Sequence, residues 1–123
     1  MQAQGKGKII NVASGTFFTG QPGFVHYVMS KGAAIAFTRA LARELGQYNI
    51  NVNCVSPGFT MTEASLGVAS QMPGLKDLVT GMQCFKRPQV EEDLVGTFVF
   101  LASDDSDFIT GQTIEVDGGL TMW

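Results

Sequence analysis

The sequence predicts an α/β fold: a three-stranded parallel sheet with flanking helices. Three observations carry this. Two short runs rich in β-branched residues, Lys8 to Ala13 and Ile50 to Val55, each stop at a turn signal, Ser14-Gly15 and Ser56-Pro57-Gly58. A long stretch of helical composition separates them. Strand and helix patterns then keep alternating to the C-terminus, an order that calls for parallel strands joined by right-handed crossovers.

Lys8-Ile9-Ile10-Asn11-Val12-Ala13 reads as a buried strand, followed by a loop containing Gly20, Pro22 and Gly23. Residues 24–46 are rich in Ala, Leu, Arg and Glu, with Gly46 placed as a stop signal, and form the longest predicted helix. On its wheel Lys31, Ala34, Thr38, Leu41 and Leu45 make a stripe expected to face the sheet. Met29, Ala33, Ala36, Phe37 and Ala40 make a second, small and apolar face, expected to meet another helix. Ile50 to Val55 alternates apolar and polar residues and ends at Pro57, which cannot continue a central strand.

Residues 59–87 carry Gly67, Pro73, Gly74 and Gly81 among Met and Leu, which predicts a long excursion with one or two short helices. Val90, Leu94, Phe98, Leu101 and Ala102 recur at helical spacing, with Glu91, Glu92 and Asp93 in the first turn, where the helix dipole favours negative charge. A polar turn at 103–106, a last strand at 112–116 and a tight turn at Asp117-Gly118-Gly119 complete the chain. A three-stranded apolar parallel sheet leaves an edge unpaired, so the 123 residues are expected to form a single partial domain of a larger sheet.

Composition narrows the function. At 45% hydrophobic and 15% charged the chain suits a globular interior. No apolar run approaches the roughly 18 to 20 residues of a membrane span, and the polar stretch Met1 to Lys8 lacks the apolar region of a signal peptide, which points to a cytoplasmic location with no membrane partner. The net charge is −3 and the eight basic residues form no run, an argument against nucleic acid. Cys54 and Cys84 stand thirty residues apart beside a single His, which supports neither a disulfide framework nor a metal site; both are expected to be buried thiols.

Three features could carry chemistry. Tyr27 and Lys31 lie four apart on one helix face. A free phenol titrates near 10, and a neighbouring ammonium favours its ionised form, so the pair could move protons; it could equally be an ordinary helix pair. Ser14 follows a strand at its C-terminal end, where open α/β sheets bind ligands, although a turn or cap role is also open to it. Ser56-Pro57-Gly58 ends the next strand, either as a flat backbone for a planar ligand or as a plain loop start. All three fall at the same end of one sheet. Neither the G-x-S-x-G elbow of a hydrolase nor a triad base is present, since His26 is only the neighbour of Tyr27.

From Gly7 to Gly119 the sequence resembles the short-chain dehydrogenases/reductases. The resemblance rests on Ile9-Ile10-Asn11-Val12-Ala13-Ser14, on Tyr27-x-x-x-Lys31 thirteen residues after the serine, and on Asn51 to Gly58 with Thr62. It extends to Phe100 to Ser103, Ile109 to Gln112 and Val116 to Gly119. It implies the C-terminal part of a doubly wound Rossmann-like parallel sheet, and an oxidoreductase moving hydride between NAD or NADP, NAD being the favoured of the two, and a small apolar alcohol or ketone. It also implies a homo-oligomer formed through the 24–46 helix. Residue by residue, Ser14 would hold the substrate oxygen, Tyr27 would be the general acid/base, and Lys31 would assist Tyr27 and hold the nicotinamide ribose. Pro57 and Gly58 would lie against the nicotinamide, with the Thr60 backbone and the Thr62 hydroxyl near its carboxamide, and the excursion would form a substrate lid.

The departures from the family lie upstream. Its T-G-x-x-x-G-x-G turn, its N-N-A-G segment and its catalytic asparagine all precede the region present here. Gly5-Lys6-Gly7-Lys8 precedes a strand instead of linking a strand to a helix, so it cannot stand in for the phosphate turn. The dinucleotide-binding half is therefore expected to be absent. The alternative to an enzyme is a non-catalytic truncated fragment that acts only by association with a partner, a reading that an unpaired edge on the Ile9 strand would favour.

Overall fold

The computed structural model describes residues 1–122. Its elements are β1 (Gly7–Val12), α1 (Thr16–Thr19), α2 (Val25–Leu45), β2 (Ile50–Pro57), α3 (Glu63–Gln71), α4 (Leu75–Met82), α5 (Glu92–Ala102) and β3 (Thr113–Val116). The strands lie in the order β1-β2-β3, all parallel, with Gly7 to Val12 of β1 opposite Ile50 to Val55 and Cys54 to Pro57 opposite Thr113 to Val116. The α/β class and the three-stranded parallel sheet with flanking helices are thus as the periodicity predicts, and the excursion holds two helices, α3 and α4. Among the described residues no helix is long and apolar enough to cross a membrane.

Side chains alternate across β2, so its two faces meet different partners. Ile50, Val52 and Cys54 point to α2 and pack against Ala42 and Ile35, with Ile9, Leu41 and Leu45 around them. Asn51 and Asn53 point to the other face and bind the loop that follows α5. The buried centre of α2 is Ile35, Thr38 and Ala42. Of the expected stripe only Thr38 is fully buried; Lys31, Ala34, Leu41 and Leu45 border it. The small Ala42 permits close approach and Ile35 fills the space over Cys54, which rotates the contact line away from the wheel's prediction. The second face lies uncovered within this chain, with Met29 70% and Phe37 55% exposed. Gly46 does not stop the helix with a left-handed turn: the chain runs on into a 3-10 turn, and Asn49, at φ 54°, takes the left-handed position.

Two further expectations are corrected. α2 and α5 both pack over β1 and β2 with little contact between them, which places them on opposite faces of the sheet. Because the strands advance in one direction, β1 to β2 to β3, the two crossovers are of opposite hand, and both cannot follow the right-handed rule. The second connection is long and passes through α3 and α4, which gives the chain room to change faces. Cys84 is exposed, whereas Cys54 is buried as expected; Cys84 lies in the turn after α4, outside the packed layers.

A polar clamp fixes the register of β3. The buried Asn53 donates from Nδ2 to the Ile109 carbonyl at 2.8 Å, and its Oδ1 accepts from the Gln112 N–H at 3.1 Å. Asn51 donates to the carbonyls of Asp107 and Ile109, at 2.9 and 3.0 Å. The Thr110 hydroxyl accepts from the Val52 N–H at 3.0 Å, replacing a strand carbonyl, and Gly111 N–H returns a bond to the Val52 carbonyl at 2.7 Å. Replacing Asn53 with Leu leaves the Gln112 N–H without its partner and the Ile109 carbonyl with Asn51 alone, and is expected to cost about 1–3 kcal/mol in urea unfolding, against roughly 0.5 kcal/mol if the clamp is dispensable.

Candidate active site

The ladder between β1 and β2 continues past the end of β1. Ala13 N–H donates to the Val55 carbonyl at 2.8 Å and Gly15 N–H to the Pro57 carbonyl at 3.0 Å. Ser14 is thereby held beside Pro57 at the C-terminal end of the sheet. Ser14 is buried, 9% exposed, and its hydroxyl accepts from both the N–H (3.3 Å) and the hydroxyl (3.1 Å) of Thr16. A hydroxyl carries one proton, and with its lone pairs occupied Ser14 keeps that proton to donate elsewhere. The turn role and the site role are therefore compatible.

Tyr27 sits in the first turn of α2, 37% exposed, its ring edge-on to Phe24 at 6.4 Å. The Lys31 ammonium lies 5.5 Å from the Tyr27 ring centroid and donates to the Val12 carbonyl at 3.2 Å. That bond brings the start of α2 over the end of β1 and leaves two of the three ammonium protons for other acceptors. Gly32 makes the approach of α1 possible, since a Cβ there would stand 2.9 Å from the Phe17 ring.

Beyond β2, Gly58 N–H donates to the Val116 carbonyl at 2.9 Å. A Cβ at position 58 would stand 2.8 Å from both the Asp117 Cβ and the Gln89 Oε1, so this close approach demands glycine. Thr60 is buried and bridges to Gln89, whose carbonyl accepts from Met61 N–H at 2.8 Å and whose Nε2 donates to the Val116 carbonyl at 2.6 Å. Thr62 caps α3, its hydroxyl accepting from Ser65 N–H at 3.2 Å. Gln89 and Ser65 are missed by the sequence reading. Thr62-x-x-Ser65 before a helix is a capping pattern that could have revealed Ser65, whereas nothing in the residues around Gln89 marks it.

The residues present fit the nicotinamide-ribose end of a dinucleotide: a hydroxyl with a free proton, a phenol, two spare ammonium protons and a close-packed glycine backbone. They do not fit its phosphates. β1 runs through Ser14-Gly15 into α1, a helix of only four residues, and a glycine-rich turn joining a strand to a full helix is not found among the described residues. Among those residues no group of three or more His, Cys, Asp or Glu side chains is placed to hold a metal.

A second polar region lies along β3. Glu115 is opposite Ser56, and neither carboxylate oxygen nor the Ser56 hydroxyl makes a properly formed hydrogen bond. Burial pushes the Glu115 carboxyl up to about 7, and the charge of Asp117 acts in the same direction; the nearby hydroxyls of Ser56 and Thr121 oppose it only in part. Glu115 lines a cleft of about 340 Å³ with Cys84, Gln89, Asp117 and Gly119, a cleft to which Ser14, Tyr27 and Lys31 do not contribute.

Residues 1–121 match a family described as enoyl-(acyl carrier protein) reductase. The 3-oxoacyl-[acyl-carrier-protein] reductase of Staphylococcus epidermidis is 39% identical over 122 residues, covering 99% of this chain and 49% of that protein. The crystal structure of a 3-oxoacyl-[acyl-carrier protein] reductase from Brucella melitensis superposes with a TM-score of 0.90 at 35% identity, over 100% of this chain and 45% of the other. A Beutenbergia cavernae protein assigned provisionally as an NAD(P)-dependent gluconate 5-dehydrogenase, solved with NADP bound at low occupancy, gives 0.89 at 34%, over 98% and 48%. The chain thus spans about half the length of the relatives it matches.

The raised Glu115 carboxyl has a direct consequence for stability. Its protonated form suits the folded state, so its contribution is complete below the unfolded carboxylate range and is lost as pH rises from about 4.5 through about 7. Glu115→Gln is therefore expected to be near neutral in acid and to stabilise the fold by about 1–2 kcal/mol at roughly pH 8, after discounting for partial exposure. Thermal melts of the two proteins across pH check this; parallel curves would show that Glu115 ionises freely.

Proposed function

The chain belongs to the short-chain dehydrogenase/reductase family, and on that premise we propose that it supplies the catalytic half of an oxidoreductase transferring hydride between NAD or NADP and a secondary alcohol or ketone. The observation that carries this reading is the convergence of Ser14, Tyr27, Lys31 and Pro57-Gly58 at one end of the sheet, through the Gly15–Pro57 and Lys31–Val12 hydrogen bonds.

The nicotinamide, when bound, gives or accepts the hydride. Tyr27 passes its proton to the carbonyl oxygen in reduction and takes one from the alcohol in oxidation. Ser14 hydrogen-bonds the same oxygen through its hydroxyl, keeping its own proton, and holds that oxygen in place. Lys31 offers two N–H groups to the ribose hydroxyls, and its positive charge stabilises the ionised form of Tyr27 left behind after proton transfer. Pro57 and Gly58 would hold the nicotinamide against their backbone, with the Thr60 backbone and the Thr62 hydroxyl available to its carboxamide. Residues 59–87, with Leu66, Leu78, Met82 and Phe85 exposed, form a lid suited to a small apolar substrate.

A second reading is favoured by the edge of β1. β1 pairs with β2 on one side only among the described residues, and its Val12 is 44% exposed. An open apolar edge is a site for further pairing, which supports the reading that the chain acts together with polypeptide, whether of this chain or another, that supplies the rest of the sheet and the phosphate anchors. The uncovered α2 face through Ala33, Ala36 and Phe37 serves a separate purpose, the contact between copies of the enzyme.

Joined to the dinucleotide-binding half of a relative, the chain is expected to turn over ketones in a panel assay, and Tyr27→Phe to lower kcat by about a hundred- to ten-thousandfold with NADH affinity unchanged; a loss under about threefold would remove Tyr27 from the mechanism. In the same protein Ala36→Glu, which buries a charge at the proposed contact, is expected to reduce the oligomer's mass by light scattering. An unchanged mass counts against the α2 interface.

A further inference from the structure

Between β2 and α3 the chain runs from Gly58 to Thr62 without regular structure; beyond the Gly58 N–H bond to the Val116 carbonyl, it is held at two further points. Gln89 holds one side through Met61 N–H. The other point is a single hydroxyl, that of Ser65. Its oxygen accepts from Thr62 N–H at 2.9 Å and lies 2.5 Å from the Thr60 carbonyl oxygen and 3.0 Å from that of Thr62. Having one proton to give, Ser65 donates it to the nearer acceptor, Thr60. Ser65 N–H meanwhile donates to the Thr62 hydroxyl at 3.2 Å.

A helix cap requires only the reciprocal pair between Thr62 and Ser65. The bond to the Thr60 carbonyl is additional: that oxygen also accepts from Thr62 N–H at 2.9 Å, a bent contact two residues on, and the shorter bond from Ser65 runs back across the cap into the segment proposed to carry the nicotinamide contacts. Thr60 N–H is held only by the bent contact to the Gly58 carbonyl, 3.0 Å away and two residues back, the weak geometry of a γ-turn and the easiest of these bonds to exchange for a ligand oxygen. Holding the Thr60 carbonyl restrains, through the Thr60 φ and ψ, the direction of that N–H on the preceding peptide unit.

We propose that Ser65 is a positioning residue for the carboxamide end of the nicotinamide, its hydroxyl setting the Thr60 backbone and the Thr62 hydroxyl relative to Pro57-Gly58 and tying that arrangement to the first turn of α3. This rests on the nicotinamide reading above. Ser65 touches neither cofactor nor substrate; it acts through the two threonines. Opening of the first turn of α3 and loss of the carboxamide contacts thereby become one event.

The test titrates the full 123-residue chain with reduced nicotinamide riboside, a neutral probe that carries the carboxamide and ribose without phosphates, and follows backbone amide signals by NMR in wild type, Ser65→Ala, Ser65→Thr and Ser65→Asp. The aspartate can accept from Thr62 N–H and keep α3 capped, but once ionised it cannot donate to the Thr60 carbonyl. Wild type and Ser65→Thr are expected to bind alike, with saturable shifts at Gly58, Thr60 and Thr62. Ser65→Ala and Ser65→Asp are expected to bind about fivefold more weakly, the weight of one ordinary hydrogen bond, with α3 amide protection retained in the aspartate variant. Wild-type affinity in Ser65→Asp reduces Ser65 to a cap and overturns the proposal while the nicotinamide site stands. Absence of saturable shifts at Gly58 and Thr60 in the wild type overturns the site itself, and the proposal with it.

Discussion

The hydrogen bond from Gly15 N–H to the Pro57 carbonyl is the contact on which the site depends. It extends the β1–β2 register beyond the last residue of β1 and fixes where Ser14 stands relative to the Pro57-Gly58 floor. A slip of β1 by one residue along β2 would turn Ile9 and Asn11 away from α2 and so part Asn11 from Thr38, whose hydroxyl accepts from the Asn11 amide at 2.9 Å. The register that buries the core is thus the register that assembles the site, and neither can vary without the other.

β2 carries more polar side chains than a central strand usually does, and these divide into two groups with different consequences. Asn51 and Asn53 have their partners in the loop leading to β3, and the bonds they make replace turns of regular structure that the loop lacks. Ser56, with Thr113 and Glu115 on β3, points to the face shared with α2 but has no properly formed hydrogen bonds. Satisfied polar groups fix one arrangement, whereas unsatisfied ones cost free energy and make their surroundings responsive to pH. The responsive region is at the edge strand, one strand removed from Ser14 and Lys31.

What the sequence makes legible follows from how local each cause is. β-branched runs ended by Ser-Gly and Ser-Pro-Gly give β1 and β2, because strand periodicity and turn chemistry are properties of neighbouring residues. The four-residue spacing of Tyr27 and Lys31 is legible for the same reason, and the strand-end position of Ser14 follows from the strand. The centre of the α2 contact is not legible, since Ile35 and Ala42 are chosen by what β2 presents to them. Nor is the hand of the second crossover, which a thirty-residue excursion is free to reverse, or the role of Gln89, whose partners Val116 and Met61 lie on separate elements. The exposure of Cys84 belongs to the same class: composition favours a buried thiol, and only the course of the chain after α4 decides otherwise.

On the proposed function, proton-transfer groups and cofactor anchors place different demands on the fold, so that a half-sheet can hold one set without the other. Ser14, Tyr27 and Lys31 are placed by β1, by its ladder with β2 and by the first two turns of α2, all of which close within residues 7–57. Their geometry uses no strand on the far edge of β1. Hydride transfer asks for more, because two carbons must be held at attack distance, and binding energy from phosphates and adenosine remote from the reaction is what holds a nicotinamide there. The open edge of β1 and the lack of a phosphate turn among the described residues therefore go together. Strands paired along that edge would extend the sheet on the side where Ser14 and Lys31 already converge, so that on the proposed function the added half would meet acid, base and ribose contacts already placed by β1, β2 and α2.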